Sequence, residues 1–68
     1  MYKEVGYKEY IAIVGELIEK GKYRFQNTHN EFHEGYKLCC IEEKTDKVAA
    51  YREKINGEMK NFVWEDNR

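Results

Sequence analysis

Residues 7 to 20, YKEYIAIVGELIEK, place Tyr7, Tyr10, Ile11, Val14, Leu17 and Ile18 at intervals of three and four, the spacing of one face of a helix. Gly21 follows at the position just past a last turn, and Lys20 and Lys22 stand where the negative end of the helix dipole favours cations. The pattern predicts a helix over 7 to 20. Ile11, Ile13, Val14 and Gly15 all lower helix preference, Gly by about 1 kcal/mol relative to Ala, so a strand is the competing reading of this segment.

The pattern then changes to alternation. In KYRFQN, Tyr23 and Phe25 alternate with Lys22, Arg24 and Gln26, which predicts a strand with one buried face. In THNEFHEG, Thr28 stands three residues before Glu31 and Gly35 closes the segment, which fits one capped helical turn or an ordinary loop.

From Gly35 onward the dipeptide Asn56-Gly57 between two alternating runs predicts a two-residue hairpin turn. That turn sets Ile55 against Glu58, Glu53 against Lys60, Tyr51 against Phe62 and Ala49 against Trp64. A second tight turn at Thr45-Asp46 sets Cys40 against Tyr51, Leu38 against Glu53 and Tyr36 against Ile55.

Both hairpins then share an apolar face of Tyr36, Leu38, Cys40, Ala49, Tyr51, Ile55, Phe62 and Trp64, expected to receive the helix. The opposite face, mixed in character, carries Lys37, Cys39, Ile41, Val48, Ala50, Arg52, Lys54, Met59, Asn61 and Val63. A change of one residue in the first loop would exchange the faces of one strand. The expected architecture is α+β: one small domain over residues 1 to 68, an N-terminal helix packed on one face of a three- to four-stranded antiparallel sheet. The alternative, if 7 to 20 is a strand, is an all-β five-stranded small barrel.

Composition narrows the function classes. With 68 residues the chain sits near the lower limit for a fold held by its core alone, yet six tyrosines, three phenylalanines and Trp64 supply bulk that disordered chains lack. Twelve basic residues against thirteen acidic ones give a net charge of −1, with no basic tail to displace phosphate counterions. The short run YIAIVG, flanked by Glu and Lys, is neither signal peptide nor membrane span. The expectation is a cytoplasmic chain with reduced thiols.

The stretch HNEFHEGYKLCC gathers two histidines and two cysteines. On a helical turn His29 and His33 would share one side and form a minor metal site, with Glu31 or Glu34 as a further ligand. Against this, Cys39 lies about 13 Å farther along an extended strand, and Cys39 and Cys40 point to opposite faces. The expectation is therefore no cofactor, with Cys40 a small core residue and Cys39 an outward thiol.

The chain contains no serine, no phosphate-binding loop and no Gly-rich dinucleotide fingerprint, so it is read as non-enzymatic. The expected function is that of a small intracellular binding or regulatory module that docks or occludes another protein, as an inhibitor or accessory subunit does. Its partner would be another protein or a second copy forming a homodimer, met on an exposed edge strand or on the mixed face: Lys37, Cys39, Ile41, Val48, Ala50, Arg52, Lys54, Met59 and Val63. The alternative is single-stranded nucleic acid bound along a basic sheet face of Arg24, Lys37, Arg52 and Lys54.

Overall fold

The computed structural model describes residues 1 to 28 and 30 to 67. Five strands, β1 (Tyr2–Val5), β2 (Tyr23–Asn27), β3 (Lys37–Glu42), β4 (Val48–Ile55) and β5 (Glu58–Trp64), form one antiparallel sheet in the order β1-β5-β4-β3-β2. The α-helix α1 (Tyr7–Lys20) joins the two edge strands, and a 3-10 turn, Glu65–Asn67, follows β5. The α+β expectation holds, with five strands in place of three to four and an open sheet in place of a barrel. Strand β1 is the element the periodicity did not predict; its four residues are too short to declare an alternation.

The helix matches the predicted span. Gly21 ends it by donating its N–H to the Leu17 carbonyl at 3.2 Å. Of the apolar stripe, Tyr10 and Val14 are buried and Leu17 is half-buried, joined by Ile13, while Tyr7, Ile11 and Ile18 remain exposed along one flank.

The β4–β5 hairpin has the predicted register, with Ile55 opposite Glu58, Glu53 opposite Lys60 and Tyr51 opposite Phe62. Asn56 and Gly57 both have positive φ, 53° and 78°, as a turn that follows the right-handed strand twist requires. Glu34 reaches across to this turn and its carboxylate accepts the N–H groups of Asn56 and Gly57.

The β3–β4 register is a correction. Cys39, not Cys40, lies opposite Tyr51, and Lys37, not Leu38, lies opposite Glu53. The chain turns earlier than expected: Glu42 donates to the Lys47 carbonyl, Asp46 donates to Glu42, and the register shifts once more between Cys40 and Ile41. That slip of one residue turns β3 over relative to β4.

Two rows run across the sheet on the helix side. One is Lys3, Val63, Ala50, Cys40 and Phe25; the next is Val5, Asn61, Arg52, Leu38 and Asn27. Tyr10 and Val14 of α1 pack with Val5, Cys40, Ala50 and Val63, and the last three have no exposed surface. Small side chains in the middle of this row let the helix approach closely, which a row of aromatic rings would prevent.

The expected packing is therefore reversed for two strands. Tyr36, Leu38 and Cys40 do lie on the helix side, but Tyr51 and Phe62 lie on the other face, in the row Glu4, Phe62, Tyr51, Cys39 and Gln26. Buried Asn61 is satisfied within the helix-side layer, where its Oδ1 accepts from Arg52 Nε at 2.7 Å. The Arg52 guanidinium lies 4.9 Å from the centroid of the Tyr7 ring.

Candidate functional site

The face away from α1 gathers four aromatic side chains from three strands. β1 contributes Tyr2, β4 Tyr51, and β5 Phe62 and Trp64. Tyr2 stands edge-on to both Tyr51 and Trp64, with centroids 5.1 Å apart in each case. Tyr51 stacks on Phe62 at 4.9 Å, with 19° between the ring planes. These are favoured geometries for rings with a negative face and a positive edge. Tyr2 is exposed and the other three are half-buried; α1 lies on the opposite face, and the short 3-10 turn Glu65–Asn67 borders the cluster at Trp64.

The ring of charge around this cluster is mixed. Lys37 lies 4.0 Å from Glu53, Lys60 lies 3.7 Å from Glu4 and Arg24 lies 3.0 Å from Asp46. Lys37 Nζ also stands 5.0 Å from the centroid of the Tyr51 ring, and Lys47 Nζ stands 5.4 Å from that of Trp64. Two hydrogen bonds hold the outer rings: Tyr2 OH donates to the Val48 carbonyl at 2.7 Å, and Trp64 Nε1 donates to Asp66 at 3.2 Å. Burial raises the Tyr51 hydroxyl above the usual tyrosine range, with Glu53 adding to it, and burial also raises Tyr2, with Cys39 second.

The predicted docking residues are divided between the two faces. Lys37, Cys39 and Ile41 lie on the aromatic side, with Val48 opposite Ile41. Ala50, Arg52 and Val63 lie on the helix side, as do Lys54 and Met59, which are opposite each other in the same alternation. Ala50 and Val63 have no accessible surface to offer a partner. The predicted basic strip is broken in the same way: Arg24 and Lys37 are on the aromatic side, Arg52 and Lys54 on the other.

Candidate metal chemistry gains no support from the geometry. His29 lies outside the described residues, and His33 is exposed in a turn where its N–H donates to Asn30 and its carbonyl accepts from Tyr36. Thr28 makes no capping box with Glu31; its Oγ1 accepts from the N–H of Lys37. Among the described residues no three His, Cys, Asp or Glu side chains cluster as metal ligands would.

Cys40 is fully buried and Cys39 half-buried, both as free thiols. Burial raises Cys39 above the ordinary cysteine range, opposed in part by Lys37 and reinforced by Glu53. That is the reverse of an activated thiolate.

Sequence reasoning missed the aromatic face as a surface because it assigned Tyr51, Phe62 and Trp64 to the core, and it missed Tyr2 with β1. Alternation groups Tyr51 with Phe62 correctly; the β3–β4 register and the side on which α1 lies are what it gets wrong. No protein-family model, curated protein or solved structure matches this chain.

Proposed function

We propose that this chain is a non-catalytic binding module that docks a protein partner on the sheet face away from α1. The observation that carries this reading is the cluster of Tyr2, Tyr51, Phe62 and Trp64, an aromatic centre with charges of both signs around it. Aromatic residues are enriched in the centres of protein interfaces and charges at their rims. The partner chemistry that fits is an apolar protrusion flanked by both acidic and basic groups. Docking would recruit or occlude the partner's surface without a chemical step, the mode of an inhibitor or accessory subunit; the raised Cys39 thiol and the absence of serine support the non-catalytic reading.

Single-stranded nucleic acid is the second reading, favoured by the two lysines set against the Tyr51 and Trp64 rings. It is weaker because stacking needs free ring faces. Tyr51 has Phe62 on one side and Lys37 near it, while Trp64 has Tyr2 and Lys47. Lys37 and Lys60 are further balanced by Glu53 and Glu4.

The test compares wild type with Tyr2→Glu and Lys37→Glu in affinity capture from the native host's lysate, alongside titration of labelled oligonucleotides at two salt concentrations. Loss of one captured protein in both variants, with unchanged circular dichroism, supports the reading. Salt-sensitive oligonucleotide binding lost in Lys37→Glu, with no protein captured, would replace it with the second.

A further inference from the structure

The two edges of the sheet are unlike. Edge strand β1 is four residues long and carries Lys3 and Glu4, charges of the kind that discourage strand addition. Edge strand β2 is five residues long, has no proline, and bears one charge, Arg24, already paired with Asp46 at 3.0 Å. Its outer residues are bare: Phe25 is 48 % exposed, and Gln26 and Asn27 are exposed.

The backbone of β2 has a definite outward set. Thr28 donates to Lys37 and Lys22 accepts from Glu43, so the even-numbered residues of this strand turn their backbone groups towards β3. Tyr23, Phe25 and Asn27 therefore turn N–H and C=O outward, where the sheet order has no further strand.

We propose that a second copy of this chain pairs at this edge, β2 against β2 and antiparallel, about a two-fold axis at Phe25. Self-complementarity selects this occupant and this register. With Phe25 opposite its own copy, Tyr23 meets the second copy's Asn27, so all three outward residues exchange both backbone hydrogen bonds. Arg24 then falls opposite the second copy's Gln26, a neutral acceptor. Sliding one step in one direction leaves Asn27 beyond the end of the second copy's strand, and sliding in the other leaves Tyr23 unpaired. The symmetric pairing is isologous and closes at two copies, because each chain has one such edge.

Opposed residues in an antiparallel pair share a face, so both helices lie on one side of the joined sheet and both aromatic faces on the other. The dimer presents two copies of the docking face in one plane, independently of what binds there. A pair of five-residue strands forms a small interface, and its dissociation constant belongs on the order of 10–100 µM.

Sedimentation equilibrium from about 5 µM to about 500 µM tests this. The wild-type mass is expected to rise from 8.2 kDa towards twice that value across the series. Phe25→Lys sets two ammonium groups against each other at the axis and is expected to stay monomeric with an unchanged circular dichroism spectrum. Gln26→Glu places a carboxylate opposite Arg24 at both symmetric positions and is expected to tighten the dimer about threefold or more, and Gln26→Lys to loosen it by a like factor. A wild type that stays at 8.2 kDa throughout overturns the proposal, leaving the edge to an extended peptide or to nothing. A dimer indifferent to Phe25→Lys or to the charge at Gln26 overturns it as well, by assigning the contact to another surface.

Discussion

The rings of Tyr51 and Phe62 stack at 4.9 Å on neighbouring strands, on the sheet face that α1 leaves open. Such a pair contributes about 0.5–1.5 kcal/mol beyond the area it buries. A double-mutant cycle of Tyr51→Ala and Phe62→Ala, read by urea unfolding, is expected to return a coupling in that range. Val63→Ala, on the opposite face and without exposed surface, should cost about 2 kcal/mol and add independently to Tyr51→Ala. Strong coupling between Val63 and Tyr51 would show that the two faces are not separate layers.

Tyr10 is 2 % exposed and its hydroxyl has no hydrogen-bond partner. Burial, with Cys40 second, pushes its pKa from the ordinary 10.0 up to about 12. A folded value above the unfolded one means that the stability from the neutral phenol is fully present below pH 10 and is lost as pH rises towards 12. Tyr10→Phe removes an unpartnered polar group and should raise stability at pH 7 by about 1 kcal/mol, and the variant should lose less stability than wild type between pH 10 and 12. Destabilisation at pH 7 would count against the unpartnered hydroxyl.

Two glycines should respond to alanine with opposite signs. Gly15 sits inside α1 and is exposed, and a Cβ there meets no atom within 4 Å, so Gly15→Ala is expected to stabilise by about 1 kcal/mol. Gly57 has equally free space but a φ of +78°, so Gly57→Ala is expected to cost about 1–2 kcal/mol through backbone strain alone. Thermal melts of the two variants decide the matter. Equal effects would mean that side-chain space, not backbone conformation, governs both sites.

The neighbouring thiols should separate in a timed reaction with a disulfide reagent. Cys40 has no exposed surface and is expected to react only when the chain unfolds. Cys39, half-buried with its pKa raised by burial, should react in the native state but more slowly than a free cysteine at the same pH, with the rate still climbing above the ordinary thiol range. Cys39→Ser should abolish the native-state reaction. Fast reaction at neutral pH would contradict the burial of this side chain.

Local chemistry made much of the fold readable from the chain. Spacing fixed α1 at its observed bounds, and Asn56-Gly57, whose φ values of 53° and 78° suit few other residues, fixed the β4–β5 register. Alternation placed Cys39 and Cys40 on opposite faces and grouped Tyr51 with Phe62. These features depend on interactions within a few residues or across one tight turn.

Which face becomes the core was decided by tertiary structure. A five-residue stretch between Glu42 and Val48 and a register shift at Cys40 and Ile41 turned β3 over against β4, and no propensity distinguishes that slip from its neighbour. The side that α1 covers follows from its role as the link between β1 and β2, parallel strands at opposite edges, because the hand of such a connection selects the face. Periodicity left β1 unseen, so that constraint was not available from it. Volume acts in the same direction: Cys40, Ala50 and Val63 accept a helix at close approach, whereas Tyr2, Tyr51, Phe62 and Trp64 fill their own face. The sequence by itself determined the elements and the pairing of side chains by parity; the crossover and the packing volume decided that the aromatic set lies at the surface.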